Sequence, residues 1–171
     1  MSSSEKRTRP RTLWLVRHAH AQEARKGQQD RERPLSARGR ERLLRAARAL
    51  APRLGSAPLV MTSPWERAAA TAEGIAGAAT GARLVTTTRL AGPPTPSLLA
   101  LLGALEAEAV VAVGHEPWLS DLADLLTGER PDEPLKRLGA AELEGPLAPG
   151  EARLRRLWRP SELRSGPSAR P

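Results

Sequence analysis

The chain has 171 residues, enough for one well-buried domain and too few for two, and its 27 Lys and Arg against 19 Asp and Glu give a formal charge of +8. With no cysteine, disulfides, thiolate nucleophiles and Cys-based zinc sites are excluded. Four Trp and no Phe or Tyr are too few for a base-stacking platform, so the excess charge reads as a solvated Arg-rich surface and no nucleic-acid partner is expected.

No apolar run approaches the roughly 20 residues that span a bilayer, and the segment 1–12 is too polar and basic for a signal peptide. The expectation is a cytoplasmic protein with no membrane partner. Residues 1–11 read as a disordered basic arm and 161–171 as a disordered Ser/Pro/Arg/Gly tail, leaving one domain over 12–160 without internal repeats.

Inside that domain strand-like and helix-like segments alternate. The run Leu13-Trp14-Leu15-Val16 reads as a buried strand that stops on Arg17-His18. A polar loop without periodicity covers 22–34. Ser36 is placed to cap a helix in which Leu43, Leu44, Ala47, Leu50 and Leu54 fall at helical spacing, ended by Pro52 and Gly55. A second strand covers 58–62. Ser63-Pro64-Trp65-Glu66 then has the form of a capping box opening a helix to about Ala79.

A third strand is expected at the sheet edge over 83–87, and a helix over 96–106. Ala109–Val113 is the clearest buried strand, running out onto Gly114-His115. Pro117 opens a helix carrying Leu119, Leu122, Ala123, Leu125 and Leu126, and Gly128 closes it. Residues 139–144 and 152–158 form an outer hairpin. Such alternation implies βαβ units, hence an α/β fold with a mostly parallel central sheet.

Only three histidines exist, His18, His20 and His115. Two of them follow buried strands, and ligands of open α/β sheets bind at the carboxyl ends of strands. For His20 the ordinary structural reading is preferred, because alternation along the segment turns it away from His18. Imidazole is a competent nucleophile, and phosphoryl transfer needs positioning and positive charge around the equatorial oxygens. Guanidinium supplies that charge, pairing bidentately with phosphate. Arg17 adjoins His18, Arg33 precedes a loop-to-helix junction, and Arg67 lies at the start of a helix.

These residues resemble the signatures of the histidine phosphatase superfamily, also called phosphoglycerate mutase-like. Leu15-Val16-Arg17-His18-Ala19 is similar to its Arg-His signature, Ser63-Pro64-Trp65-Glu66-Arg67 with Thr71-Ala72 to its second, and Val113-Gly114-His115-Glu116-Pro117 to its third. The short length, Arg33-Pro34-Leu35-Ser36 and the Gly-His-x-Pro helix start resemble the small SixA-type phosphohistidine phosphatases. The resemblance implies a three-layer α/β/α fold with an antiparallel edge hairpin near the C-terminus.

It also implies His18 as the nucleophile that becomes phosphohistidine. Arg17, Arg67 and His115 would bind the phosphoryl group and its developing charge, with Arg33 assisting from the loop. No metal and no cofactor are implied. The expected partner is a phosphorylated protein or a small phosphorylated molecule, and a monomer is the default for small members.

One departure bears on substrate. Larger members carry a glutamate general acid after the third strand, whereas Thr88-Arg89-Leu90-Ala91-Gly92-Pro93-Pro94 has no carboxylate here. An alkoxide leaving group needs a proton, help worth about 10²- to 10⁴-fold, while imidazole leaving from phosphohistidine needs less. That favours protein phosphohistidine as substrate. The alternatives are a small-molecule phosphomonoesterase and a non-catalytic phosphate-binding regulator. Glu66 is expected to be occupied by the cap, and Glu116 has no assigned role. Trp14 and Trp158 are read as structural, and Trp65 and Trp118 as packing beside the site.

Overall fold

Period-two burial along the central strands sets the layers. In the structure, a computed structural model describing residues 11–163, Trp14 and Val16 of β1 (Thr12–Arg17) join one apolar cluster and Leu13 and Leu15 the other. β4 (Ala109–Gly114) divides in the same way, with Val111 and Val113 on one face and Val110 and Ala112 on the other. A strand buried on both faces reads as a continuous apolar run, which is why these two were legible.

The sheet has six strands in the order β3-β2-β4-β1-β5-β6. β2 (Leu59–Thr62) and β3 (Arg83–Thr86) run parallel to β1 and β4, and β3 is the exposed edge. β5 (Ala140–Glu144) and β6 (Arg153–Trp158) add the expected hairpin, β5 antiparallel to β1 and β6 antiparallel to β5, with a bulge at Glu142/Leu143.

α1 (Ala37–Leu50) and α2 (Glu66–Ala78) cover the Trp14 face. α3 (Pro96–Ala104) and α4 (Trp118–Thr127) cover the Leu13 face. The result is the expected three-layer α/β/α arrangement. Ser36 caps α1 by accepting the Gly39 N–H at 3.0 Å, Thr95 caps α3, and Gly128 closes α4 in the left-handed region at φ +73°.

Five details differ from the sequence reading. Leu44 and Leu125 are 59 % and 44 % exposed, because each lies about 100° or more around its helix from the buried stripe. The Ser63–Glu66 capping box does not form. Ser63 is still tied to the sheet through its N–H to Val113 O (3.1 Å), so α2 starts at Glu66, which stays exposed in the first turn.

The helix expected over 96–106 stops at Ala104. The tail begins later than position 161, because Leu163 is buried in the Trp14-side cluster. Arg11, assigned to the basic arm, bonds the Gly103 carbonyl and accepts from Gly145 N–H. Residues 1–10 and 164–171 lie outside the described residues. Among the described residues, no helix is long and apolar enough to cross a membrane.

Candidate active site

Register places the two histidines. Arg17 pairs with Gly114 across β1 and β4, so His18 and His115, each one residue further on, leave adjacent parallel strands together. Their ring centroids are 5.2 Å apart. The His18 N–H continues the ladder to Gly114 O at 3.2 Å, and Ser63, just past β2, enters beside them. The cleft therefore opens at the carboxyl ends of β1, β4 and β2.

His18 is 7 % exposed and held from both sides. Its Nδ1 meets the Ala19 carbonyl at 2.7 Å, an acceptor only, so Nδ1 carries the proton and donates. Nε2 is then a bare lone pair, and it accepts the Nε–H of Arg67 at 3.1 Å. Burial pushes the His18 pKa down to about 4; the Ala19 carbonyl opposes this, and Arg67, Arg17 and Arg137 add to it. Thr71 fixes the loop from behind, accepting the Ala19 N–H at 3.0 Å while its hydroxyl donates to Arg67 O.

His115 is buried too, and its pKa is pushed down to about 3 by burial and then by His18 and Arg67. Its Nε2 lies 2.9 Å from Ser63 Oγ, which also accepts the Trp65 N–H at 3.2 Å. Both rings are thus neutral near pH 7. His115 Nδ1 is buried without a hydrogen-bond partner. Trp65 (4.4 Å) and Trp118 (5.8 Å) flank the His115 ring, so both tryptophans wall the cleft.

Arg17 donates Nη1 to Leu135 O at 2.8 Å, and its buried Nε has no hydrogen-bond partner. The supporting loop is pinned by Glu116, whose Oε1 accepts Leu135 N–H (2.9 Å) and Ser120 Oγ–H (3.0 Å). Leu138, at φ +62°, gives its N–H to Arg17 O. Glu116 is therefore a brace for the arginine loop.

Arg67, on the first turn of α2, is 4 % exposed and held by the protein at each of its three guanidinium nitrogens. Nη1 donates to Asp30 O (2.6 Å), Nη2 to Asp30 Oδ2 (2.8 Å), and the guanidinium lies over Trp65. Asp30 also accepts from Arg33 Nε at 2.7 Å, while Arg33 Nη1 reaches Gln22 O at 2.9 Å. Arg33 thus joins the site through Asp30, with no bond to either histidine. His20 turns to Ser36 Oγ at 2.9 Å, as alternation implied.

Sequence reasoning brought His18, His115, Arg17 and Arg67 together but missed Asp30. The available signal was weak: Asp30 is one of two acids, with Glu32, in the basic stretch Arg25, Lys26, Arg31 and Arg33. Among the described residues no three His, Cys, Asp or Glu side chains are grouped to hold a metal ion.

Two strand-end imidazoles with guanidinium groups beside them, on a mostly parallel sheet, form an arrangement chemically able to hold a phosphoryl group. The model of the histidine phosphatase superfamily (branch 1) matches residues 13–91, which include Arg17, His18, Arg33 and Arg67. No match was found among curated proteins.

Among solved structures, the chain is similar to a protein assigned as phosphohistidine phosphatase SixA from Agrobacterium tumefaciens. That match has 25 % identity and a TM-score of 0.73 over 86 % of this chain and 97 % of the other. The corresponding assigned protein from Nakamurella multipartitia matches at 25 % identity and TM-score 0.70, covering 88 % and 96 %. The protein histidine phosphatase SixA complexed with tungstate shares the fold at 21 % identity and TM-score 0.73, covering 89 % and 99 %. Over residues 13–91 the chain is similar to the histidine phosphatase superfamily, and together with these structures that similarity supports a phosphatase.

Proposed function

We propose that this phosphatase acts on protein phosphohistidine, with His18 as the nucleophile and without a metal ion. The observation that carries the reading is the His18 ring: Nδ1–H is fixed on the Ala19 carbonyl, and the Nε2 lone pair points into the arginine-lined cleft. With the pKa near 4, that lone pair is available at neutral pH.

In the first step Nε2 of His18 attacks phosphorus and the N–P bond of the substrate breaks. The substrate's ring already carries a proton on its other nitrogen, so it leaves as neutral imidazole. His18 becomes N-phosphorylated with Nδ1–H retained, and the Ala19 carbonyl faces the positive charge the ring gains. Water then attacks phosphorus, the His18–P bond breaks, and phosphate leaves with both protons of the water. One imidazole replaces another, so the first step is close to energetically even and requires no external acid.

The guanidinium groups of Arg17 and Arg67 supply the charge that would otherwise call for a divalent cation. The Ser63 hydroxyl accepts from Trp65, leaving its hydrogen for His115 Nε2. His115 then carries Nδ1–H, a buried donor suited to a phosphoryl oxygen.

The missing acid argues against alkyl phosphate esters. Among the nearby carboxylates, Asp30 is held below the usual range by Arg67 and Arg33 and stays ionised, and Glu116 is braced through Oε1 by Leu135 and Ser120, its Oε2 buried without a hydrogen-bond partner. The test is hydrolysis of a phosphohistidine peptide with and without EDTA. Equal rates are expected, together with a folded but inactive His18→Ala variant. Full activity in that variant would refute the assignment of the nucleophile.

A further inference from the structure

We propose that Asp30 is the positioning residue for Arg67, aiming the Nε–H side of its guanidinium at the reacting phosphorus. The inference rests on the reading of His18 as nucleophile and adds a residue that none of the three family-like motifs contains.

Arginine has five N–H donors in a rigid plane, so fixing one end fixes the direction of the rest. Asp30 takes one donor from each terminal nitrogen, through its main-chain O on Nη1 and its Oδ2 on Nη2. With both Nη groups anchored, Nε–H is left facing His18 Nε2 at 3.1 Å, the line along which a phosphoryl group must approach. Two donors of the five remain for its oxygens. Trp65 under the guanidinium plane removes the remaining rotation.

Asp30 is itself built in. It opens a 3-10 turn, Asp30–Glu32, in which Glu32 Oε2 accepts Gln29 N–H at 3.1 Å, and Arg33 holds its second oxygen. The carboxylate side chain is 55 % exposed while that of Arg67 is 5 % exposed, so Asp30 reaches inward from the rim of the cleft. Ionised and spanning two arginines, it acts as an anchor and holds no proton to give.

The role separates from two others by sign and by substrate. A carboxylate that merely competed with phosphate for Arg67 would, once removed, leave anions binding more tightly. A proton donor would matter far more for an alkyl ester than for p-nitrophenyl phosphate, whose leaving group needs no proton.

The experiment measures orthovanadate binding by calorimetry on wild type, Asp30→Ala and Asp30→Asn. It also measures kcat on p-nitrophenyl phosphate and on an alkyl phosphate, with melting curves as a check of folding. Positioning predicts that Asp30→Ala weakens vanadate binding and lowers kcat about 10- to 100-fold on both substrates alike. Asp30→Asn, which retains the Oδ acceptor and the main-chain carbonyl, should recover part of each loss.

Unchanged or tighter vanadate binding in folded Asp30→Ala overturns the positioning role, as does a loss confined to the alkyl ester. If Asp30→Ala does not fold, folded Asp30→Asn decides on the same two readouts. Wild type that binds no vanadate overturns the phosphatase reading itself.

Discussion

The Nε–H of Arg67 donates to Nε2 of His18 across 3.1 Å, joining the first turn of α2 to the end of β1 at the atom proposed to attack phosphorus. The donor keeps that nitrogen aprotic in the resting enzyme and becomes a ligand for the phosphoryl group when substrate enters. Lysine at position 67 keeps the charge but loses the planar fork and its contacts with Asp30. Steady-state kinetics of Arg67→Lys should show kcat/KM lowered by about 10²- to 10³-fold. Its melting temperature should stay near that of wild type if the role is catalytic.

Acid should weaken the fold before it ionises the site. His18 and His115 have folded pKa values of about 4 and about 3 against an ordinary 6.5, so between these limits the unfolded chain binds more protons than the folded one. Stability is therefore complete above pH 6.5 and is lost as pH falls toward 4, at a cost on the order of 2 kcal/mol per histidine by pH 5. Melting curves from pH 7.5 to 4.5 should fall steadily. A His115→Gln variant should show a shallower slope than wild type.

Gly39 carries a packing constraint that helix propensity hides. A Cβ there would lie 2.1 Å from the carbonyl oxygen of His20, which also accepts the Ser36 N–H at 2.9 Å. Alanine gains about 1 kcal/mol of intrinsic helix propensity. The clash is with backbone, however, and overpacking of this kind costs typically about 1–3 kcal/mol or more. Denaturant titration should find Gly39→Ala less stable than wild type.

Glu116 supports Arg17 through an intermediate peptide. Removing its carboxylate leaves Leu135 N–H and Ser120 without their acceptor, an expected cost of about 1–3 kcal/mol. Because Leu135 O orients Arg17, Glu116→Ala should also raise KM more than it lowers kcat. Parallel melting and kinetic measurements separate the two effects.

The parts of the site that could be read from sequence are those set by local periodicity. Buried strands ending at Arg17-His18 and Gly114-His115 announce themselves through apolar runs, and the register pairing Arg17 with Gly114 then fixes their meeting. Asp30 was invisible because its partner is 37 positions away, across a loop with no period to carry information. Ser63 was misread for a related reason. Its cap-like context is local and its Oγ does accept the Trp65 N–H, but its other partners, Val113 O and His115 Nε2, come from β4 and just beyond it. Leu44 shows that one apolar residue beside a helical stripe does not widen the buried face.

The most direct test of the account is to trap the phosphoryl-enzyme. After brief exposure to a phosphohistidine peptide and an alkaline quench, mass spectrometry should find a base-stable, acid-labile phosphate on His18. Phosphate on His20 or His115, or sustained turnover with His18 unmodified in every quenched sample and replaceable by alanine, would contradict it.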